Sequence, residues 1–178
     1  MPRAMLVKGY ELERVGEVGV RLKGKEALCI DFDGRGCDHH IFTGLHSSGA
    51  KGVRLPQELR LGEFSVKTLS AYSREDLGVE PRYKRGESVG YVVRAGDLTL
   101  YHPGASELVE EMIEVRSYNV TVMIVPLGEK ALTPEEAFEA VKTVRPAVVV
   151  PIMGREEAQK FKLLAYPYTQ VIFLHPQG

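Results

Sequence analysis

The second half of the chain alternates buried-strand patterns with helix patterns, and this alternation most limits the folds that the sequence can adopt. VTVMIVPLG (residues 120–128) and PAVVVPIMG (residues 146–154) are apolar runs that contain proline and end in glycine. Such runs are typical of strands buried on both faces. A helix pattern follows each run, and QVIFLHP (residues 170–176) closes the series. Strand and helix in this order predict a layered α/β domain whose strand ends face a common edge.

The first half of the chain is rich in short strand patterns. Between residues 5 and 30, apolar residues are interrupted by glycines, which predicts short antiparallel strands joined by turns. Further strands are predicted over residues 64–69, 89–94 and 98–101, and the turn at residues 95–97 predicts a hairpin between the last two. No linker interrupts the sequence, so residues 1–178 are predicted to form a single domain.

Helix signals come later. Ser106 precedes apolar residues at helical spacing and is predicted to cap a helix there. Thr133, Pro134 and Glu136 form a capping-box pattern, and this second helix should end near Val144 because proline follows at position 146. A third helix is predicted over residues 155–164.

Composition excludes several classes of protein. The 178 residues include 23 basic and 24 acidic side chains without a block of either sign, so nucleic acid is not an expected partner. Because no apolar run reaches the roughly 18 residues that span a bilayer, a membrane partner is not expected either. Cys29 and Cys37 lack CxxC spacing and no signal peptide precedes them, which predicts a cytoplasmic protein without disulfides. The abundance of Lys, Arg and Glu is compatible with a thermophile.

Four segments carry a resemblance to a known family. They are LCIDFDGRGCDHHIFTGLHSSGA (residues 28–50), SAYS with SVGYVV (residues 70–73 and 88–93), LTLYHPGASELVEEM (residues 98–112) and VPLGEKALTPEEAFEAVKTVRPAVVVPIMG (residues 125–154). In this order they resemble the metallo-β-lactamase superfamily, specifically its L-ascorbate-6-phosphate lactonase-like branch of small metal-dependent hydrolases. The resemblance implies an αββα sandwich, in which two mixed β-sheets are flanked by helices.

The resemblance also implies a metal site, and here the sequence departs from the family. Family members hold one or two metal ions, usually zinc, which activate a water molecule for attack. The family's ligand positions fall on Gly44, His46, Ser48, Gly49, Ala105 and Met153 of this chain. Only His46 keeps a side chain suited to zinc, and one imidazole cannot hold the ion. We therefore predict a vestigial pocket without a dinuclear centre and without a cofactor.

Three further residues belong to this predicted pocket by resemblance. Asp31 matches a position that supports the metal loop by accepting its N–H groups. His102 lies beside a ligand position and is predicted to bond neighbouring backbone, and Tyr72 matches a position that is often tyrosine in the branch. His39 and His40 are adjacent, so on a strand they would point to opposite faces and could not share one ion.

Two classes of function remain open from the sequence. In the first, the chain is a non-metallo relative of hydrolases that binds a small-molecule ligand or a protein partner, with self-association as a further expectation. In the second, it is an active hydrolase of the lactonase or phosphoester type. That enzyme would use zinc or another divalent metal in a site rebuilt from His46, His102 and a carboxylate from Asp31, Asp33 or Asp38.

Overall fold

A computed structural model describes residues 1–45, 57–72, 88–106, 110–128 and 131–178. In these residues the strands form two sheets. The five-stranded sheet has the order β1 (Ala4–Val7), β2 (Tyr10–Val15), β3 (Gly19–Lys23), β4 (Ala27–Ile30) and β5 (His39–Ile41). The seven-stranded sheet has the order β12 (Gln170–Val171), β11 (Val148–Met153), β10 (Val122–Leu127), β9 (Leu98–His102), β8 (Ser88–Ala95), β7 (Phe64–Ala71) and β6 (Glu58–Leu61).

Both sheets are mixed. Strands β1 to β4 run antiparallel, whereas β5 runs parallel to β4. In the larger sheet, β6 to β9 are antiparallel and β9 to β12 are parallel. Of the parallel strands, β10 and β11 were predicted from their apolar runs, and β10 is buried along its whole length.

Two apolar clusters lie on opposite faces of the seven-stranded sheet. One fills the space between the sheets and includes Leu12 and Ile30 from one sheet and Val93 and Ile152 from the other. The second packs the remaining face against the helices, with Phe161 among its largest members. The predicted sandwich of two mixed sheets with helices is therefore confirmed, and the described helices cover the seven-stranded sheet.

The helices are α1 (Glu111–Val115), α2 (Pro134–Val144) and α3 (Arg155–Ala165), with a 3₁₀ turn at Arg116–Tyr118. The predicted capping box is confirmed, because the Thr133 hydroxyl accepts from the Glu136 backbone while the Glu136 carboxylate accepts from the Thr133 backbone. A cap at Ser106 would bond to residues 108 and 109, which lie outside the described residues, so it stays a prediction; α1 as described is Glu111–Val115. The Ser106 hydroxyl bonds to the backbone of Tyr72, accepting from its N–H at 3.2 Å and donating to its carbonyl at 3.3 Å.

The prediction that the cysteines stay unpaired is also wrong. Cys29 and Cys37 form a disulfide, with their Cα atoms 5.8 Å apart. The pairing arises because the chain after β4 turns back to run parallel to it as β5, which returns Cys37 to the middle of β4. None of the described helices is long and apolar enough to cross a bilayer.

Candidate functional site

Asp31 follows the last residue of β4 and holds the start of the TGLHSSG loop. It is buried, and its Oδ1 accepts the backbone N–H of Thr43 at 2.8 Å while its Oδ2 accepts the Thr43 hydroxyl at 2.5 Å. The carbonyl of Thr43 in turn accepts the N–H of Val89 at 2.7 Å. Asp31 therefore holds Thr43 in place, and Thr43 connects this point of the chain to the other sheet.

Sequence reasoning missed Thr43, although it stands inside the segment that carried the resemblance. The sequence pattern that could have indicated its role is a hydroxyl residue between a short strand and a glycine. Gly44 has a φ of 108°, which suits glycine. His46, Ser48 and Gly49 lie outside the described residues.

His102 ends β9 and lies directly behind Asp31. Its side chain is fully buried, and its Nδ1 accepts the backbone N–H of Gly104 at 3.0 Å. Since a backbone N–H can only donate, Nδ1 carries the lone pair and Nε2 carries the proton of the neutral ring. Nε2 lies 3.8 Å from Oδ2 of Asp31, which is too long for a hydrogen bond, and finds no hydrogen-bond partner among the described residues.

Burial sets the charge of this imidazole. Full burial lowers the pKa of His102 from its ordinary 6.5 to about 3, because the low dielectric penalises the imidazolium. The neighbouring Tyr91 hydroxyl donates to the Phe42 carbonyl at 2.8 Å. Burial and the charge of Asp31 raise the pKa of Tyr91 to about 12. The buried cluster of Asp31, Tyr91 and His102 thus combines a neutral imidazole with a protonated phenol.

Ala105 lies next to this cluster. Its backbone N–H donates to the Ser88 hydroxyl at 2.8 Å, and its side chain is buried. Gly104 before it has a φ of 69°, and a Cβ at that position would lie 2.5 Å from the Val89 carbonyl oxygen. The backbone between His102 and Ala105 therefore approaches β8 too closely for a side chain at position 104.

Tyr72 follows β7, and its side chain contacts α1. Its hydroxyl donates to the carboxylate of Glu111 in α1 at 2.9 Å. Its backbone is bonded to Ser106, one residue beyond Ala105. Tyr72 thus connects the edge of the site to α1.

Met153 is the last residue of β11 and has a φ of 65°. A left-handed conformation is unusual for a long side chain, and such strain concentrates at functional sites. Leu127, at the end of β10, is its partner in the parallel ladder. Because the carboxyl ends of parallel strands share one edge, Met153 lies on the edge at which β9 ends with His102.

The other acidic candidates lie elsewhere. Asp38 accepts the N–H of Ala27, the first residue of β4, at 2.7 Å, whereas Asp31 follows the last residue. A strand of this length separates its ends by roughly 13 Å, so Asp38 and Asp31 cannot share an ion. Asp33 is exposed.

The two adjacent histidines have separate partners. The Nε2 atom of His39 lies 2.8 Å from the Glu26 carboxylate. His40 contacts the Phe32 carbonyl through Nδ1, also at 2.8 Å. As predicted from their adjacency, they do not converge on one point.

The described residues do not fit a family-type metal centre. Gly44 and Ala105 offer no side-chain donor atom, and Met153 offers only a soft thioether. His102 does not fit either. A metal-bound histidine donates its second ring N–H to an acceptor, whereas the second nitrogen here already accepts from Gly104. The described part of the chain contains no group of three or more His, Cys, Asp or Glu side chains that could hold an ion.

Two mixed sheets packed face to face, with strand ends and an aspartate-held loop at one edge, define the class of metallo-β-lactamase-fold domains. Within that class, the chain belongs to the family described as the beta-lactamase superfamily domain, whose model matches residues 22–153. The superfamily resemblance carried by the four sequence segments is thereby confirmed.

Curated relatives of this chain carry the name UPF0173 metal-dependent hydrolase. One from Pelotomaculum thermopropionicum is 25% identical over 115 residues, which cover 62% of this chain and 50% of the relative. One from Opitutus terrae is 31% identical over 102 residues, covering 57% of this chain and 43% of the relative. The chain thus spans about half the length of the curated relatives that it matches.

Solved structures share the fold over nearly the whole chain. A protein from Parabacteroides distasonis superimposes with a TM-score of 0.81 at 13% identity, covering 99% of both chains. The metallo hydrolase Igni18 from Ignicoccus hospitalis superimposes with a TM-score of 0.70 at 18% identity, covering 95% of this chain and 96% of its own. At these identities the likeness concerns the fold.

The buried imidazole of His102 should make the protein less stable in acid. Between pH 6.5 and about 3, the unfolded chain binds a proton at this residue and the folded chain does not. The free energy of unfolding should therefore fall as the pH falls through this window, and the contribution should be fully present above it. Urea unfolding at several pH values measures the slope.

A His102→Gln variant is the control for this prediction, because it removes the titrating ring and keeps a polar side chain. Its stability should depend less on pH than that of the wild type over the same window. Equal slopes in the two proteins, or a His102 ring resonance that titrates in the folded state near its ordinary pKa, would contradict the assignment of a neutral ring.

Proposed function

We propose that this chain is a metallo-β-lactamase-fold protein without the dinuclear metal centre, and that it acts as a ligand-binding or interaction protein. The observation that carries the proposal is the set of side chains at the ligand positions. Gly44, Ala105 and Met153 cannot replace the oxygen and nitrogen ligands of zinc, and a zinc site needs three or four protein ligands.

The environment of His102 supports the same proposal. Its Nδ1 accepts from Gly104, so Nε2 has a proton to lose before it could bind a metal ion. The ring is better explained as a support for the loop than as a ligand, since it fills the space behind Asp31. Asp31 holds Thr43 at the start of the loop, while Gly44, Ala105 and Met153 lack the nitrogen and oxygen side-chain atoms that bind zinc.

The second candidate is a hydrolase with a rebuilt centre. The names of the curated relatives favour it, because those proteins are called metal-dependent hydrolases. The Asp31 and His102 side chains also lie close together, which a rebuilt site around His46 could use. Asp38 has no part in this alternative, because it lies at the opposite end of β4.

Zinc titration distinguishes the two candidates. By calorimetry, the wild-type protein should bind zinc no more tightly than a surface histidine would, and His46→Ala should not alter the result. Lactonase and phosphodiesterase assays should show no turnover, with or without added zinc, manganese or iron. The variant should change the free energy of unfolding by at most about 1 kcal/mol, the contribution of one hydrogen bond.

Submicromolar zinc binding that disappears in His46→Ala would overturn the proposal and favour the rebuilt centre. Elemental analysis of the purified protein is a second test, since stoichiometric metal would also favour the rebuilt centre. His40→Ala is a suitable control variant, because it removes an exposed imidazole whose Nδ1 contacts the Phe32 carbonyl.

A cytoplasmic location and a thermophilic source form a further part of the proposal. Disulfides are rare in the cytoplasm of mesophiles but common in that of hyperthermophiles. The Cys29–Cys37 bond and a charged fraction of 26% are compatible with that combination. Self-association remains an expectation that size-exclusion chromatography with light scattering can check.

A further inference from the structure

A groove of about 760 Å³ opens at the end of the sandwich beside Met153. Its walls come from the turn between β2 and β3, the end of β11, the first turns of α3 and the segment 173–176. Binding sites for small molecules commonly have volumes of this order. The groove is therefore large enough to take a ligand.

Arg14 extends into this groove from β2. Side chains alternate along a strand, so Arg14 shares the face of Leu12, which is fully buried between the sheets. The guanidinium is half-buried, and this burial lowers its pKa from the ordinary 12.5. The sequence analysis missed Arg14. The pattern that could have indicated it is a charged residue two positions after Leu12, on the inward-facing side of a predicted strand.

The guanidinium of Arg14 makes few hydrogen bonds with the described residues. Its one side-chain hydrogen bond among the described residues is a long one, from Nη1 to the Leu174 carbonyl at 3.4 Å. No described carboxylate forms an ion pair with it. Because a guanidinium has five N–H donors, most of its hydrogen-bonding capacity is left for another partner.

The other residues that line the groove indicate the chemistry of that partner. Arg155, at the first position of α3, adds a second cation, and the only acidic lining residue among those described is the exposed Glu17. The walls are otherwise largely apolar, with Pro151, Met153 and Phe173 among them. A net positive groove with apolar walls suits an anion that has an apolar body.

We propose that this groove binds a small organic carboxylate. The carboxylate accepts N–H groups from Arg14, whose planar fork matches the geometry of two oxygens, and Arg155 adds attraction from the rim. The apolar body of the ligand lies against Met153 and Phe173. The inference rests on the proposed function in one respect, since it takes the edge beside Met153 to be a binding site rather than a metal-dependent catalytic one.

Phenylbutyrate is the probe for this site, with phenylbutyramide and acetate as matched controls. The amide keeps the apolar body without the charge, and acetate keeps the carboxylate without the apolar body. Calorimetry should show millimolar or tighter binding of phenylbutyrate and at least tenfold weaker binding of both controls. Backbone amide shifts in the NMR spectrum should change at residues 153–159 and 173–175.

The charge is tested by variants. Arg14→Gln should weaken phenylbutyrate binding about tenfold, the effect of losing one charge-assisted pair. Arg155→Gln, at an exposed position, should weaken it by a smaller factor and supplies the test if Arg14→Gln does not fold. Arg60→Gln removes the same charge from β6, at the opposite edge of the seven-stranded sheet, and should bind like the wild type.

Equal binding of phenylbutyrate and its amide, no binding of phenylbutyrate, or unchanged affinity in folded Arg14→Gln and in Arg155→Gln would overturn the inference. Each of these results is independent of the zinc titration. Failure of phenylbutyrate binding in a protein that also binds no zinc would remove this ligand class and leave the absence of a metal centre standing. Tight zinc binding would instead overturn the proposed function, whatever the groove binds.

Discussion

Asp31→Ala is expected to lower the free energy of unfolding by about 3 kcal/mol, the largest effect expected from a single substitution at the site. The substitution leaves the N–H and the hydroxyl of Thr43 without their shared carboxylate in a buried position. It also places alanine at a φ of 57°, which aspartate and asparagine tolerate better than alanine does. Urea or thermal unfolding of the purified variant measures the loss.

Two variants separate the causes of this expected loss. Asp31→Asn keeps an acceptor and a residue suited to the left-handed backbone, so it should cost clearly less than Asp31→Ala. Asp33→Ala removes an exposed carboxylate two residues further along, and should stay within about 0.5 kcal/mol of the wild type. If Asp31→Ala were as stable as Asp33→Ala, the carboxylate would not hold the loop.

Cys37→Ser is expected to cost about 2 kcal/mol under oxidising conditions. The disulfide joins residues separated by 8 positions. By restricting the unfolded chain, a cross-link that closes so short a loop stabilises the fold by roughly 2 to 3 kcal/mol. Serine suits the half-buried position 37, while Cys29 stays in the core as a small apolar side chain. Denaturant unfolding with and without a reducing agent measures the difference.

The reducing agent supplies the internal control for this second prediction. It should lower the stability of the wild type to about that of Cys37→Ser and leave the variant unchanged. Thiol titration of the unfolded wild type should find both cysteines protected until reductant is added. Free thiols in the oxidised protein, or a variant that unfolds with the wild type, would show that the cross-link does not stabilise the fold.

The two unusual backbone positions at the site edge have different explanations. Asp31 has a φ of 57°, and its carboxylate is occupied by Thr43, so the conformation serves the loop that follows. Met153 has a φ of 65° and does not pair with any described polar group of the pocket. Its thioether lines the groove beside Arg14. The left-handed backbone of Met153 thus places an apolar side chain in the wall of this groove.

The sequence predicted well where neighbours along the chain decide the structure. The capping box of α2 depends on residues three positions apart, and the parallel strands β10 and β11 depend on unbroken apolar runs. Local patterns do not show contacts with residues far along the chain. The Ser106 hydroxyl is bonded to the backbone of Tyr72, 34 positions away, and helical spacing in the sequence does not indicate this contact.

The sequence by itself predicted the sandwich, because strand and helix periodicity can be read from the order of residues along the chain. Only the tertiary structure decided which groups meet. The Cys29–Cys37 bond exists because β5 returns alongside β4, and the tautomer of His102 is set by the nearby Gly104 N–H within a buried turn. Arg14 faces a groove because segments from both sheets and α3 converge on it. Such contacts depend on distances in space, which spacing along the chain does not fix.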